Sequence, residues 1–180
     1  PDGVDAVLFD GARTLIDVGT GAGLPGIPLA VYAPHLTVTL LDSLNKRVRF
    51  LTEVTAAMGL PNVRCIHARA EEAARTAEHR AAYDIAVSRA VARLPVLLEY
   101  TLPFVRVGGT LLALKGRAYD EEQKEARRAA EVLGGGRITA RPVRLPGLDD
   151  VRAMLTVTKE RQTPAAYPRG GGAPTRRPIV

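Results

Sequence analysis

Residues 15–30 read Leu15-Ile16-Asp17-Val18-Gly19-Thr20-Gly21-Ala22-Gly23-Leu24-Pro25-Gly26-Ile27-Pro28-Leu29-Ala30. A short apolar run ends in an acid, three glycines alternate after it, and an apolar helical pattern follows. This order lets backbone approach a ligand at the mouth of a parallel sheet. The spacing is Asp-x-Gly-x-Gly-x-Gly, whereas a dinucleotide fingerprint places its third glycine one residue later and offers a helix N-terminus to a pyrophosphate. An adenosine that carries no phosphate fits this loop better, and S-adenosylmethionine is such a molecule.

Outward from the loop, apolar runs alternate with stretches of helical period. Runs at 14–18, 37–41, 63–67, 85–88 and 110–114 read as buried strands of a parallel sheet covered on both faces. Residues 46–58 predict a helix with Val48, Leu51, Thr55 and Met58 on one face, stopped by Gly59. Residues 119–133 predict a charged helix closed by Gly134-Gly135-Gly136. Two strands at 138–145 and 151–158 then flank a Pro146-Gly147 turn and read as an antiparallel hairpin. The expected fold is α/β: a Rossmann-like, doubly wound, mostly parallel seven-stranded sheet ending in an antiparallel hairpin, as class I methyltransferases are built.

With 180 residues, 46% of them apolar, the chain suits one domain with a real core. No apolar run approaches the ~18 to 20 residues of a membrane span and no signal sequence opens the chain, so a cytoplasmic protein is expected. The single Cys65 makes neither an internal disulfide nor a metal cluster and reads as a small core residue. His35, His67 and His79 show no metal spacing and read as surface or strand-end residues, and no metal site is expected. The net charge is +6, and residues 161–180 hold four arginines and no acid. Rich in glycine and proline, this segment reads as a basic tail, extended or mobile when free and suited to phosphate contacts, after a domain at 1–160.

Ligands of such sheets sit at the carboxyl ends of the strands, where each candidate stands. After the first strand come Gly19, Gly21, Gly23 and Asp17, which could face a cofactor ammonium or order the loop. After the second comes Asp42, 19 residues past Gly23, where an acid accepts hydrogen bonds from ribose hydroxyls or, with Ser43, caps the next helix. After the third, Ala70 and Glu71 lie where an adenine would be flanked, although a helix-start carboxylate also suits the dipole. Arg89 after the fourth could meet the cofactor carboxylate or a substrate phosphate. After the fifth come Lys115, one of four lysines beside 21 arginines, and Arg117.

What is missing narrows the chemistry. Methylating an exocyclic amine commonly uses an Asp/Asn-Pro-Pro-aromatic segment after the fourth strand, where this chain has Ser88-Arg89-Ala90-Val91. Carbon methylation of a pyrimidine needs a cysteine nucleophile, and Cys65 is placed in the core. A ring nitrogen with a free lone pair, such as guanine N7, attacks a sulfonium methyl and loses no proton, so no general base is needed.

Leu15–Leu29 (LIDVGTGAGLPGIPL), Leu41–Leu51 (LDSLNKRVRFL), Ser88-Arg89-Ala90, Ala113–Gly116 (ALKG) and the ending from Tyr167-Pro168-Arg169 to Pro178-Ile179 together resemble the bacterial small-subunit ribosomal RNA guanine-N7 methyltransferases. That family is also called RsmG or glucose-inhibited division protein B. The resemblance implies an enzyme that moves a methyl group from S-adenosylmethionine to N7 of one guanosine in 16S ribosomal RNA; a monomer acting on that RNA or the small subunit is expected. It implies cofactor contacts at Gly19, Leu24, Ala70, Glu71 and Arg89, with Asp42 on the ribose. RNA phosphate contacts are expected at Lys115, Arg117, Arg169, Arg176 and Arg177. Members usually carry a helical N-terminal segment with Trp-Asn…Asn-Leu-Thr and Arg-His…Asp-Ser stretches before the glycine loop, and this sequence lacks both stretches.

Two rivals share parts of the pattern. A nicotinamide-dependent dehydrogenase would need a Tyr-x-x-x-Lys pair, and Tyr119 and Lys124 are five apart on a charged helix. A non-catalytic RNA-binding module on a methyltransferase fold is the alternative, but it would not need Asp17, Gly19, Gly21, Gly23 and Asp42 together.

Overall fold

The structure, a computed structural model, describes residues 7–89, 91–144 and 152–180. In chain order these form α1 (Val7–Asp10), β1 (Thr14–Val18), α2 (Gly26–Tyr32), β2 (Thr37–Asp42), α3 (Asn45–Ala57), β3 (Val63–His67), α4 (Ala70–Ala73) and β4 (Tyr83–Arg89). Then come α5 (Leu94–Thr101), a 3-10 turn (Leu102–Phe104), β5 (Val105–Lys115), α6 (Tyr119–Glu125), α7 (Arg127–Val132), β6 (Gly135–Val143), β7 (Arg152–Lys159) and α8 (Ala173–Arg176).

The strands make one sheet in the order β3-β2-β1-β4-β5-β7-β6. The first five run parallel, and β7 lies antiparallel between β5 and β6. The expected seven-stranded sheet with its closing hairpin is therefore what forms. Its period-2 alternation builds a core on each face: Leu15, Val38 and Leu40 pack with Ile27 and Leu51, while Ile16, Val18 and Leu41 pack with Leu97, Leu98 and Phe104. Chain order reverses between β1 and β4, so the connections leaving these two strands diverge and open a crevice at their carboxyl ends.

Several local expectations change. The helix expected at 46–58 begins at Asn45, and Gly59 follows its end at φ +65°. Met58 lies outside the buried face because it caps the helix beyond the last full turn. The helix expected at 119–133 breaks at Ala126, which is fully buried and joins α6 to α7. Gly134 alone closes it, at φ +83°, and Gly135 and Gly136 enter β6. The Pro146-Gly147 turn lies outside the described residues. His79 is buried with Nδ1 hydrogen-bonded to the Tyr83 hydroxyl at 2.8 Å, and burial lowers its pKa. Cys65 is half-buried, because β3 is an edge strand.

Residues 161–180, expected to be extended or mobile when free, lie against the domain. They are fastened to the domain through their carbonyls, which irregular backbone must satisfy somewhere. Arg75 donates to Pro168 O at 2.9 Å, and Arg80 donates to Thr163 O at 2.8 Å and Tyr167 O at 2.9 Å. Fully buried Glu99 accepts from Arg169 N at 2.7 Å and from Arg169 Nη2 at 2.6 Å. Tyr167 and Ile179 pack on the core, and α8 forms near the end.

Arg169→Ala would leave the Glu99 carboxylate buried without its cation. Unfolding in denaturant at pH 7 should show a loss of about 3 kcal/mol, and the Glu99→Gln/Arg169→Ala double variant should recover part of it. An unchanged midpoint for the single variant refutes the docking.

Candidate active site

The crevice is shaped by the glycine loop. Gly19, Gly21 and Gly23 sit at φ +71°, +61° and +90°, in the left-handed region that glycine alone enters freely. Gly19 N and Thr20 N donate to Leu41 O at 2.9 and 3.1 Å, tying the loop to β2. A Cβ on Gly19 would stand 2.6 Å from a methyl of Val91, so glycine there lets the segment after β4 close on the loop. A Cβ on Gly26 would stand 2.8 Å from Asp17 Oδ2, so glycine there lets the start of α2 rest on that carboxylate.

Asp17 is fully buried at the hub of this loop. Its Oδ2 accepts from Thr20 Oγ1 at 2.7 Å and Gly26 N at 2.8 Å. Its Oδ1 is buried without a hydrogen-bond partner. Burial outweighs these bonds and the nearby Arg89 charge, and pushes the Asp17 pKa up to about 6. Asp42, also buried, accepts from Gly21 N at 3.0 Å on one oxygen and from Leu44 N at 2.9 Å on the other. It therefore joins the glycine loop to the start of α3. Arg47 approaches the same carboxylate at 3.4 Å. Ser88 Oγ donates to Val18 O at 2.8 Å, linking β1 and β4 where their paths part.

A cleft opens above these groups, walled by Val18 and Gly19, by Leu41, Asp42 and Ser43, by residues 68–71, and by Val91 and Tyr100. Of the residues expected from the sequence, it brings together Gly19, Asp42, Ser43, Ala70 and Glu71. Buried Glu71, in the first turn of α4, accepts from Arg69 Nε at 2.8 Å. Asp17 and Gly21 support the cleft through the bonds above. Gly23, Leu24 and Arg89 do not line it: Leu24 is 43% exposed and Arg89 is exposed at the end of β4. Val91 and Tyr100 were missed. Val91 follows a segment the sequence singled out, but Tyr100, at the end of α5, carries no local signal and arrives only because α5 packs beside the crevice.

Two cations expected to meet RNA are turned inward. Lys115 is buried, pairs with Glu122 at 2.7 Å and donates to Ala92 O, while Glu122 also accepts from Leu94 N at 2.7 Å. This network holds the segment after β4, so Lys115 has a scaffold role rather than a phosphate contact. Arg169 is committed to Glu99. Arg117 is exposed but engaged with the protein, and Arg176 and Arg177 are exposed. Among the described residues no cluster of three metal-ligating side chains occurs, and no helix is long and apolar enough to cross a membrane.

An Asp17 pKa of about 6 in the folded chain, against 3.8 when unfolded, means that the folded state holds the proton more tightly. Stability contributed by this proton is present below pH 4 and lost as pH rises to about 6, a change of about 3 kcal/mol. The difference in unfolding free energy between the wild type and Asp17→Asn should shift against the wild type by this amount between pH 4 and 7. A flat difference across that range refutes the raised pKa.

Comparison with known proteins agrees with this geometry. The profile of the GidB family, described as rRNA small subunit methyltransferase G, matches residues 4–143. A Ribosomal RNA small subunit methyltransferase G of Alkaliphilus metalliredigens is 52% identical over 166 residues, covering 92% of this chain and 70% of the relative. The protein of the same name from Acetivibrio thermocellus is 48% identical over 174 residues, covering 97% of this chain and 72% of the relative. Among solved structures, M. jannaschii TYW2 in complex with AdoMet superposes with a TM-score of 0.65 at 19% identity, over 87% of this chain and 74% of that one, and so shares the fold. The glycine loop, the sheet order and these relatives together place the chain in the rRNA small subunit methyltransferase G family.

Proposed function

We propose that this chain transfers a methyl group from S-adenosylmethionine to N7 of a guanosine in 16S ribosomal RNA, in the cytoplasm and as a monomer, by positioning alone. The observation that carries the reading is a switch-point cleft whose two lining carboxylates, Asp42 and Glu71, each already accept hydrogen bonds from the protein. Asp42 accepts two backbone N–H groups and Glu71 accepts from Arg69, so neither stands ready as a general base. Cys65, the one cysteine, lies on edge strand β3, with β2 and β1 between it and β4. Attack by the N7 lone pair requires neither base nor nucleophile.

The cleft fits the cofactor's parts. Asp17 Oδ1, buried and without a partner, suits an ammonium, directly or through water. Asp42 retains lone-pair capacity for ribose hydroxyls, and Ala70 and Glu71 border the space for an adenine. Gly21 and Gly23 keep the loop close, while Leu24 and Arg89 stand at its margin. When bound, S-adenosylmethionine supplies an electrophilic methyl group on a sulfonium. The chain's own residues hold and orient the two reactants, an effect worth about 7 to 11 kcal/mol when alignment is good. Arg117, Arg176 and Arg177 supply charge for RNA phosphates, which fix register without reading sequence.

Incubation with 16S ribosomal RNA and labelled S-adenosylmethionine, followed by mass spectrometry of the digested RNA, should give 7-methylguanosine at one position. A methyl group on an exocyclic amine, a ring carbon or a ribose overturns the reading. The cations should divide in a second test. Arg176→Ala/Arg177→Ala should reduce the salt slope of RNA binding by about 1 to 2 and leave stability unchanged. Lys115→Ala should cost about 3 kcal/mol in unfolding and leave the slope unchanged.

A further inference from the structure

A second cavity, of about 340 Å3, lies beside the cofactor cleft. Its walls come from the segment after β4, the first turn of α5, Glu125 of α6 and the C-terminal residues Thr175, Pro178 and Val180. It shares Val91 and Tyr100 with the cofactor cleft, so the two spaces adjoin at this pair. We propose that this groove receives the acceptor guanine, turned out of its RNA stack, and that the Glu125 carboxylate reads the N1–H and 2-amino edge of that base. The proposal rests on the guanine-N7 reading above.

The groove has the make-up of a nucleobase site. Val91, Pro95, Val96 and Pro178 offer apolar contact, and Tyr100 adds an aromatic ring on which a splayed base can stack. In guanine, N7 and the N1/2-amino edge are on opposite sides of the ring system. A base that presents N7 to the cofactor cleft, past the junction at Val91 and Tyr100, therefore turns N1–H and the 2-amino group away from the cofactor. Glu125 lines the groove but not the cofactor cleft, and among the described residues it is the one acidic side chain on the groove's walls. A carboxylate accepts from both adjacent guanine donors, whereas adenine presents a lone pair at N1 and would be repelled.

The reader is held in place by its neighbours. Arg93 donates to Glu125 Oε2 at 2.7 Å, which occupies one of about four acceptor positions of the carboxylate. One helical turn earlier on α6, Glu122 accepts from Leu94 N and pairs with Lys115, whose ammonium also holds Ala92 O. Residues 92–94 are thus fastened to α6 through Glu122 and Glu125. Glu125 is 43% exposed, so it is open to a base and its replacement leaves the core intact. Exposed Arg176 and Arg177, beside Thr175 and Pro178, put positive charge at the rim for the phosphates flanking a flipped nucleotide.

The test uses transcribed 16S ribosomal RNA in which the guanosine methylated by the wild type, located by mass spectrometry, is replaced by inosine. Inosine keeps N7 and N1–H and lacks the 2-amino group. The wild type should lose about 10-fold or more in kcat/KM on the inosine RNA. Glu125→Gln should lose about 10- to 100-fold on the guanosine RNA, and its guanosine-to-inosine ratio should fall to within about 2-fold of unity. Glu125→Asp should restore part of that ratio, and both variants should bind S-adenosylmethionine with unchanged affinity. A wild type indifferent to inosine, or a Glu125→Gln variant that keeps the wild-type ratio, overturns the proposal while guanine N7 methylation stands. Methylation of another atom by the wild type overturns the functional reading itself and is seen in the first mass spectrum.

Discussion

A carboxylate without solvent organises this molecule. Asp17 stands next to the end of buried strand β1 and uses one oxygen to accept from the Thr20 hydroxyl and the Gly26 amide, which bends the chain through the glycine loop into α2. The other oxygen has no partner, and burial drives the pKa up to about 6. A buried acid with half its bonding capacity unused is costly to keep. It is sustained because the sheet on both sides over-determines the loop: Leu41 O takes Gly19 N and Thr20 N, and Asp42 takes Gly21 N. The crevice, and so everything that binds in it, inherits its shape from these few bonds.

Arginine and lysine do most of the long-range stitching. Arg75 and Arg80 satisfy carbonyls of the C-terminal segment, Arg169 neutralises buried Glu99, and Lys115 ties the segment after β4 to α6. A net charge of +6 therefore overstates what is available to a polyanion. Among the exposed cations, Arg176 and Arg177 stand beside Thr175 and Pro178, which wall the second groove. The C-terminal residues serve twice in this arrangement, once as a wall of the groove and once as its charged rim.

Much of the fold was legible before any coordinates. The strands of the parallel sheet are short apolar runs with turns between them, and period and length alone locate β1 and β3 to the residue. Errors gathered where a local signal met a tertiary demand. The charged helix breaks at Ala126 because burying that alanine against the core sets the turn, and Gly135 and Gly136 join β6 because pairing with β7 outcompetes the tendency of glycine to end structure. At the site, Asp17, Gly19, Asp42, Ser43, Ala70 and Glu71 could be read from their positions after strands. Tyr100 and Glu125 could not, since nothing near them in sequence differs from an ordinary helix surface.

The amino-acid sequence by itself determined the sheet's strands and a glycine loop suited to a phosphate-free adenosine. These depend on residues close together along the chain, where alternation, strand ends and glycine spacing act locally. Only the tertiary structure decided which cations face outward, how the C-terminal segment docks, and that a second groove shares a wall with the first. The docking of the C-terminal segment depends on partners between 70 and 93 residues apart, as for Arg169 with Glu99 and Arg75 with Pro168. A guanidinium looks the same in sequence whether it meets solvent, a phosphate or a buried carboxylate, and burial alone separates the three.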